Sequence, residues 1–413
     1  MVGRDGAWTY WFCAGDRFPP PPYLGGNLYS FPNSFGFDGQ FYLYIAHDLL
    51  NRDSTHRYVD NPPLRWRRIL IPLSAWTLAL GNREWIPASY IVVIWMLAAF
   101  GIYGLARLAE CWRHPACLGL LFLTIPVVGV SLDRMMTDIA VVTFLFWVVL
   151  GAELHRNSWS YSALALVPLA RETGLAITAG WIIWHIWRRN WKRAIYGAAT
   201  ALPSVSWWAW VSTRFDSDET AFALVGLPFS AVVKRLTIWH IHPADGAIAE
   251  VILGMEYLGA IGVALSFAVA IFLFVRGERS FLVFTAVVYT LGIACFTKED
   301  MWSEAYSYTR TAGPVAVMLT LIGLQTRRWW LMQPMYLSLP RIATQYYSVG
   351  LFSYLSFPEC LLRAALLWGH SPSRELLSLE TLGSSKHFRR WWLFTFTQVL
   401  IAQRWRMWRR FII

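Results

Sequence analysis

Apolar residues in this chain come in long uninterrupted runs rather than at the spacing of a half-buried helix or strand. The clearest runs are 86–108, 136–154, 257–275 and 281–296. Several approach the roughly 20 residues that a helix needs to cross a bilayer. The polar breaks between them are rich in arginine, with the densest cluster at Arg188, Arg189, Lys192 and Arg193. This pattern predicts an all-α, polytopic integral membrane protein: a helical bundle of about eight to ten membrane segments with loops gathered on its outer face.

Basic loops stay in the cytosol, so the arginine turns set the direction of every run. With Arg107 and Arg113 inside, 86–108 runs inward, 117–132 exits and 136–154 returns. The stretch 161–187 then has Arg156 before it and the Arg188 cluster after it, so both ends lie inside. One helix cannot do that. Two half-helices meeting at Arg171-Glu172-Thr173 can, which predicts a broken hairpin there. Continuing, 194–213 exits, 255–275 returns, 280–296 exits and 311–325 returns. Only the basic turns choose the direction, yet the unusual polar groups then share the outer face: the Asp38 segment, Asp133, Arg134, Asp138, Arg171, Glu172 and 298–310.

Three regions follow. Residues 1–65 form an extracytoplasmic segment carrying the candidate catalytic loop, 66–328 the transmembrane core, and 329–413 a basic, Trp/Arg-rich tail lying in the headgroup plane. No run before residue 65 is apolar enough to span, so delivery of Asp38 to the outer face calls for an apolar helix upstream of Met1.

Composition agrees with the runs. The chain is 56% hydrophobic and 15% charged, against about 25% charged in soluble domains. The net charge of +11 sits largely in short loops, where it reads as a topology signal, and no nucleic-acid partner is expected. The five cysteines form no C-x-x-C pair and no His/Cys metal spacing. There is no glycine-rich nucleotide loop, G-x-S-x-G elbow or H-E-x-x-H motif, which leaves cytosolic nucleotide chemistry unsupported.

Asp38 leads the candidates. Gly39 beside it lets a ligand approach the backbone closely, and Gln40 can both donate and accept hydrogen bonds. A carboxylate here can act as general base toward a sugar hydroxyl; equally, Asp38 can close a turn into a helix over 40–50. Asp48 lies about 15 Å further along such a helix, too far for a dyad, though a second carboxylate can hold a divalent metal. Arg65, Arg67 and Arg68 suit either snorkelling or recognition of a lipid-linked phosphate. Arg171-Glu172 is an ion pair at membrane depth, used for packing or for ligand binding. Tyr308 and Arg310 occupy a similar outer edge, and His240 and His242 form a weak metal pair in the 214–254 loop.

Four stretches carry a resemblance: D-G-Q-F-Y at 38–42, R-W-R-R-I-L-I-P-L-S-A-W-T-L-A-L-G at 65–81, L-A-R-E-T-G-L at 169–175 and S-Y-T-R-T-A-G-P at 307–314. Together they resemble bacterial multi-pass glycosyltransferases of the GT-C superfamily, related to the GPI-anchor mannosyltransferases and to proteins of cell-surface glycopolymer formation. The resemblance covers roughly residues 36–325. It implies a polyprenyl-phosphate sugar donor, a glycan or lipid acceptor, transfer with inversion, and an extracytoplasmic active site in a bacterial inner membrane. Residue by residue, Asp38 matches the catalytic acidic position, Gln40 and Arg67-Arg68 the flanking motif, Arg171-Glu172 the hairpin motif, and Tyr308 and Arg310 the late outer motif. No cofactor or metal ligand is implied, although a divalent metal is compatible with the chemistry. The family's first transmembrane helix has no counterpart here, and nothing after about residue 330 matches. A transporter or flippase of lipid-linked sugars is the competing expectation, because broken helices often line transport sites.

Overall fold

The computed structural model describes residues 8–24, 28–215, 226–237, 247–298 and 300–348. Apart from a two-residue parallel pairing of Ala14–Gly15 with Ser30–Phe31, its regular structure is helical. In chain order the helices are α1 (Asp38–His47), α2 (Pro62–Arg67), α3 (Leu70–Leu78), α4 (Ile86–Cys111), α5 (Pro126–Arg134), α6 (Asp138–Glu153), α7 (Asn157–Ala170) and α8 (Leu175–Trp187). There follow α9 (Trp191–Ala199), α10 (Leu202–Arg214), α11 (Ser230–Thr237), α12 (Ala247–Val275), α13 (Phe281–Ala294), α14 (Asp300–Ser303), α15 (Ala305–Thr326), α16 (Gln333–Tyr336) and α17 (Leu339–Ser348). The all-α expectation holds.

Among the described residues two helices are long and apolar enough to cross a membrane: α4 and, within α12, Glu250–Val275. A third candidate is the pair Ala116–Thr124 and Pro126–Arg134, which bends by 64°. The single exit helix expected over 117–132 is therefore broken. Ile125 precedes Pro126 and is extended (φ −71°, ψ 122°), as a residue before proline prefers. Eight to ten spans were expected from the runs, whereas the described residues hold two, or three with the bent pair. Helices of 13 to 16 residues such as α6, α7, α8 and α13 reach only about 20–24 Å, short of a hydrocarbon core of about 30 Å.

The apolar runs sort by exposure. α6 buries residues on all sides, from Ile139 through Leu150, and so packs centrally between α4, α5 and α7. On α4, by contrast, Val92, Trp95, Met96, Phe100 and Tyr103 are exposed at spacings that line one face. A continuous apolar stripe on the outside of the longest apolar helices belongs against lipid rather than water.

The helix break falls at Arg171-Glu172-Thr173, as expected. α7 ends at Ala170, Arg171 is extended (φ −161°, ψ 139°), Glu172–Gly174 form one 3₁₀ turn, and α8 starts at Leu175. Pro168 inside α7 removes an amide donor one turn from that end.

The boundary expected at residue 328 needs correction. Arg327 takes a left-handed φ of 59°, and the Arg328 amide returns to the Gly323 carbonyl at 2.9 Å. The chain turns back on α15, burying Leu331, Met332, Met335 and Ile342, and the compact unit ends at Ser348. The Trp/Arg-rich end at 389–410 lies outside the described residues.

Gly39 has a structural reason that the sequence did not reveal. A Cβ built there would lie 2.2 Å from the Arg134 carbonyl oxygen of α5, so the first turn of α1 rests directly on that backbone. Gly39→Ala should lower stability by about 1–3 kcal/mol, read as thermal unfolding of the detergent-solubilised protein. An unchanged midpoint would show that the two helices separate without cost.

Candidate functional site

α1 begins at Asp38, and a negative charge at a helix N-terminus is favourable. The entry is held by the Phe37 amide donating to the Cys13 carbonyl at 3.0 Å. The Asp38 carboxylate takes two guanidiniums. Arg65 approaches Oδ2 at 2.8 Å and donates to Oδ1 at 2.9 Å, while Arg310 reaches Oδ2 at 3.0 Å. Arg65 is itself clamped by Asp60, through Nε at 2.9 Å and Nη2 at 2.7 Å. On its far side Arg310 faces Asp138 at 3.6 Å. Asp138 pairs in turn with Arg171, which donates to the Thr311 hydroxyl at 3.1 Å.

A second fork stands beside the first. Arg68 meets Glu172 in bidentate fashion, Nε to Oε2 at 2.9 Å and Nη2 to Oε1 at 2.5 Å. The Tyr42 hydroxyl accepts from both Arg68 (2.7 Å) and Arg65 (3.3 Å), joining the two halves. Four guanidiniums (Arg65, Arg68, Arg171, Arg310) thus face four carboxylates (Asp38, Asp60, Asp138, Glu172). They come from α1, α2 and its flanks, α6, the α7–α8 break and α15. Asp138 and Arg171 are the deepest, with side chains 4% and 5% exposed. Asp38 and Arg310 are partly exposed at 19% and 16%, and Asp60 and Glu172 are the most exposed carboxylates at 32% and 25%.

Such burial works only in pairs, because an isolated ion taken out of water costs several kcal/mol. Burial alone would push the Asp38 carboxyl up. The Arg65 and Arg310 guanidiniums outweigh it and hold Asp38 well below the usual carboxylate range. Held this way Asp38 is ionised, and it is a weak base, since proton acceptance is best near the working pH.

The expected residues divide. Asp38, Arg68, Arg171, Glu172 and Arg310 come together. Arg67 does not join them: Arg65 and Arg68, three residues apart, share one helix face, whereas Arg67 makes no ion pair with the cluster and its buried Nε has no hydrogen-bond partner. Gln40 serves the fold, its amide accepting from the Gly15 N–H at 3.0 Å and donating to the Phe35 carbonyl at 2.8 Å. Tyr308 lies on another face of α15 from Arg310, two residues being about 200° of rotation. Its hydroxyl meets Glu256 of α12, a fully buried carboxylate also bound by Arg341 at 2.6 Å and the Ala305 amide at 2.6 Å.

Asp48 closes the turn after α1, accepting from the Arg52 and Asp53 amides and the Thr55 hydroxyl at 2.6, 2.9 and 2.7 Å. Among the described residues no three His, Cys, Asp or Glu side chains converge as metal ligands. His240 and His242 fall outside the described residues. Sequence reasoning missed Asp60, Asp138, Thr311 and Tyr42 as partners. For Asp138 a signal exists: a carboxylate heading an otherwise apolar run needs a buried cation nearby.

A cavity of 760 Å³ lies at the opposite end of α1, walled by Ile69, Leu73, Trp76, Leu169 and Trp207 with Arg52 and Arg83 at its polar edge. Asp38 does not line it; the paired charges gather at the cluster instead. No family model, characterised protein or solved structure matches the chain. Fold and site define an all-α membrane protein with a buried, charge-balanced arginine–carboxylate cluster. What it does must be argued from that cluster.

Two outcomes follow from the pairing. Arg68→Met strands Glu172 and should cost about 3 kcal/mol, with Arg68→Met/Glu172→Met recovering most of it; equal losses in the single and double variants would refute the pairing. For Asp38 the folded pKa lies below the ordinary value of 3.8. Its ionised form therefore stabilises fully above that value, and the contribution fades as pH falls through the folded pKa. The stability gap between wild type and Asp38→Asn should be flat over about pH 5–8 and shrink below about pH 4. A gap that widens in acid would contradict the ion pairs.

Proposed function

We propose that this protein is an inverting membrane glycosyltransferase of the GT-C type, a polytopic helical bundle with its site on the extracytoplasmic face of a bacterial inner membrane. It moves a hexose from a polyprenyl-phosphate donor to a cell-surface glycan or lipid acceptor. The observation that carries this reading is a partly exposed Asp38 carboxylate held by Arg65 and Arg310 within a cluster of four guanidiniums. Sugar transfer from a lipid phosphate needs those two kinds of group side by side.

The steps balance as follows. Asp38 accepts the proton of the acceptor hydroxyl, whose oxygen forms a bond to the anomeric carbon from the face opposite the phosphate. The bond from that carbon to the phosphate oxygen breaks, and its electron pair stays with the phosphate. The donor is a phosphodiester of charge −1, and the released polyprenyl monophosphate is a dianion. Arg310, with Arg171 behind it, stabilises that added charge. Preorganised cations at the point of charge development are the largest help such a reaction can receive. Gln40 and Tyr308 have no direct part, because their side chains serve elsewhere in the fold, and Arg67 stands outside the cluster's ion pairs.

A transporter or flippase of lipid-linked sugars is the second reading, favoured by the break at Arg171 between α7 and α8. A partly exposed carboxylate directly beside two guanidiniums supports transfer instead. Membranes containing the protein, incubated with several labelled polyprenyl-phosphate sugars, should transfer one label to an acceptor. Asp38→Asn should abolish transfer while insertion stays normal. Label that crosses the membrane without changing its covalent partner would favour the transporter, and wild-type transfer by Asp38→Asn would remove Asp38 as the base.

A further inference from the structure

The cluster poses a problem for any incoming phosphate. Its four guanidiniums already face four carboxylates, so an anion can be received only if one pair lets go. The pairs are not held equally. Arg65 is fixed by two bonds to Asp60 as well as by Asp38 and Tyr42. Arg68 has a two-point grip on Glu172 and a bond to Tyr42. Arg171 lies between Asp138 and Thr311, 5% exposed. Arg310 has one close bond, 3.0 Å to Asp38. Its other contacts are long, 3.6 Å to Asp138 and 3.7 Å to the Met136 sulfur, and its buried Nε has no hydrogen-bond partner. It is also the most accessible of the four guanidiniums.

We infer that Arg310 is the phosphate-receiving group, that a sugar-linked phosphodiester takes it away from Asp38, and that Asp138 is the positioning residue that keeps the released guanidinium at the site. This deepens the transferase reading and rests on it. The chemistry of transfer supplies a reason. One unit of negative charge leaves the carboxylate, which becomes protonated, and appears on the phosphate, which becomes a dianion. A cation standing between the two groups follows that charge, so its interaction is stronger late in the reaction than at the start, the condition for lowering a barrier.

The exchange also sets when Asp38 can act. The groups facing Asp38 are Arg65 and Arg68 around the end of α2, Arg310 from α15 and Tyr42 on α1 itself; Asp60 and Asp138 act through the arginines they bind. Arg134 of α5 is turned onto the Phe37 ring, 3.3 Å from its centre. With Arg310 withdrawn, Asp38 keeps Arg65 as its one close cation, and its affinity for a proton rises. An acceptor arriving without donor meets a carboxylate clamped twice and too weakly basic to deprotonate it. Donor phosphate and base competence are thereby coupled through one side chain.

The test is infrared difference spectroscopy on the purified, full-length protein in detergent, with farnesyl phosphate as the probe and the Asp38 band assigned by its loss in Asp38→Asn. Without probe, Asp38 should stay ionised to the lowest pH at which the protein remains folded. With saturating farnesyl phosphate, its protonation midpoint should rise by about one to three pH units, the effect of losing one adjacent guanidinium. Arg310→Gln should show the raised midpoint without probe and little further change with it. Asp138→Asn should bind probe more weakly and show a smaller shift at equal occupancy, a readout that a purely structural role would not move. An equal shift with inorganic phosphate would support the exchange and assign it to phosphate as such; a shift with farnesyl phosphate alone would support it and assign it to a lipid-linked phosphate. Failure of farnesyl phosphate to bind, or binding with an unmoved midpoint, overturns the exchange in wild type whatever the variants do. Sugar transfer with an unmoved midpoint leaves the transferase reading standing, whereas a moved midpoint without transfer from any donor removes that reading alone.

Discussion

Buried guanidiniums must be matched by carboxylates, and this requirement fixes the arrangement of the molecule around Asp38. Each arginine of the cluster sits where water is scarce, and each reaches at least one neutralising partner in a distant part of the chain. Arg68 reaches 104 residues to Glu172, and Arg171 reaches across to Asp138 and to Thr311 on α15. The α7–α8 break is part of the same requirement. Its extended Arg171 and single 3₁₀ turn present Arg171 and Glu172 in opposite senses, one toward α6 and α15, the other toward the end of α2. A continuous helix through 171–172 would separate neither the two charges nor their partners so cleanly.

α15 carries more of the design than its sequence advertises. One face sends Arg310 to Asp38 and Asp138, and another sends Tyr308 to Glu256. Glu256 also binds Arg341 of α17 and lies 3.5 Å from Arg235 of α11. Two polar clusters with different partners are therefore mounted on one helix. Ligand-driven movement of Arg310 can remain a side-chain event, because the helix itself is held from its other side.

The sequence made some of this legible and hid the rest for definite reasons. The helix break could be read because basic groups flank 161–187 on both sides, a constraint that no straight helix satisfies. Asp38, Arg68, Arg171, Glu172 and Arg310 could be read because charge in an apolar chain needs a purpose. The register could not. Arg65 rather than Arg67 faces Asp38, a choice set by where α2 ends and which face it turns inward. Tyr308 and Arg310, two residues apart, diverge because α15 is helical through both. Gly39 looked like room for a ligand and is instead the contact point for the Arg134 carbonyl. The described residues hold fewer long apolar helices than the runs suggested because apolar runs record burial in protein as well as in lipid: α6 is apolar since it is central.

The claim on which the account stands is that the cluster behaves as one coupled unit, and its deepest pair tests this most directly. The measurement is a double-mutant cycle on Asp138→Asn and Arg171→Gln, with unfolding free energies obtained in detergent. Coupling predicts that the double variant loses less stability than the two single losses combined, by about 0.5–3 kcal/mol. Additivity within about 0.5 kcal/mol would mean that the two charges do not sense each other, and would contradict it.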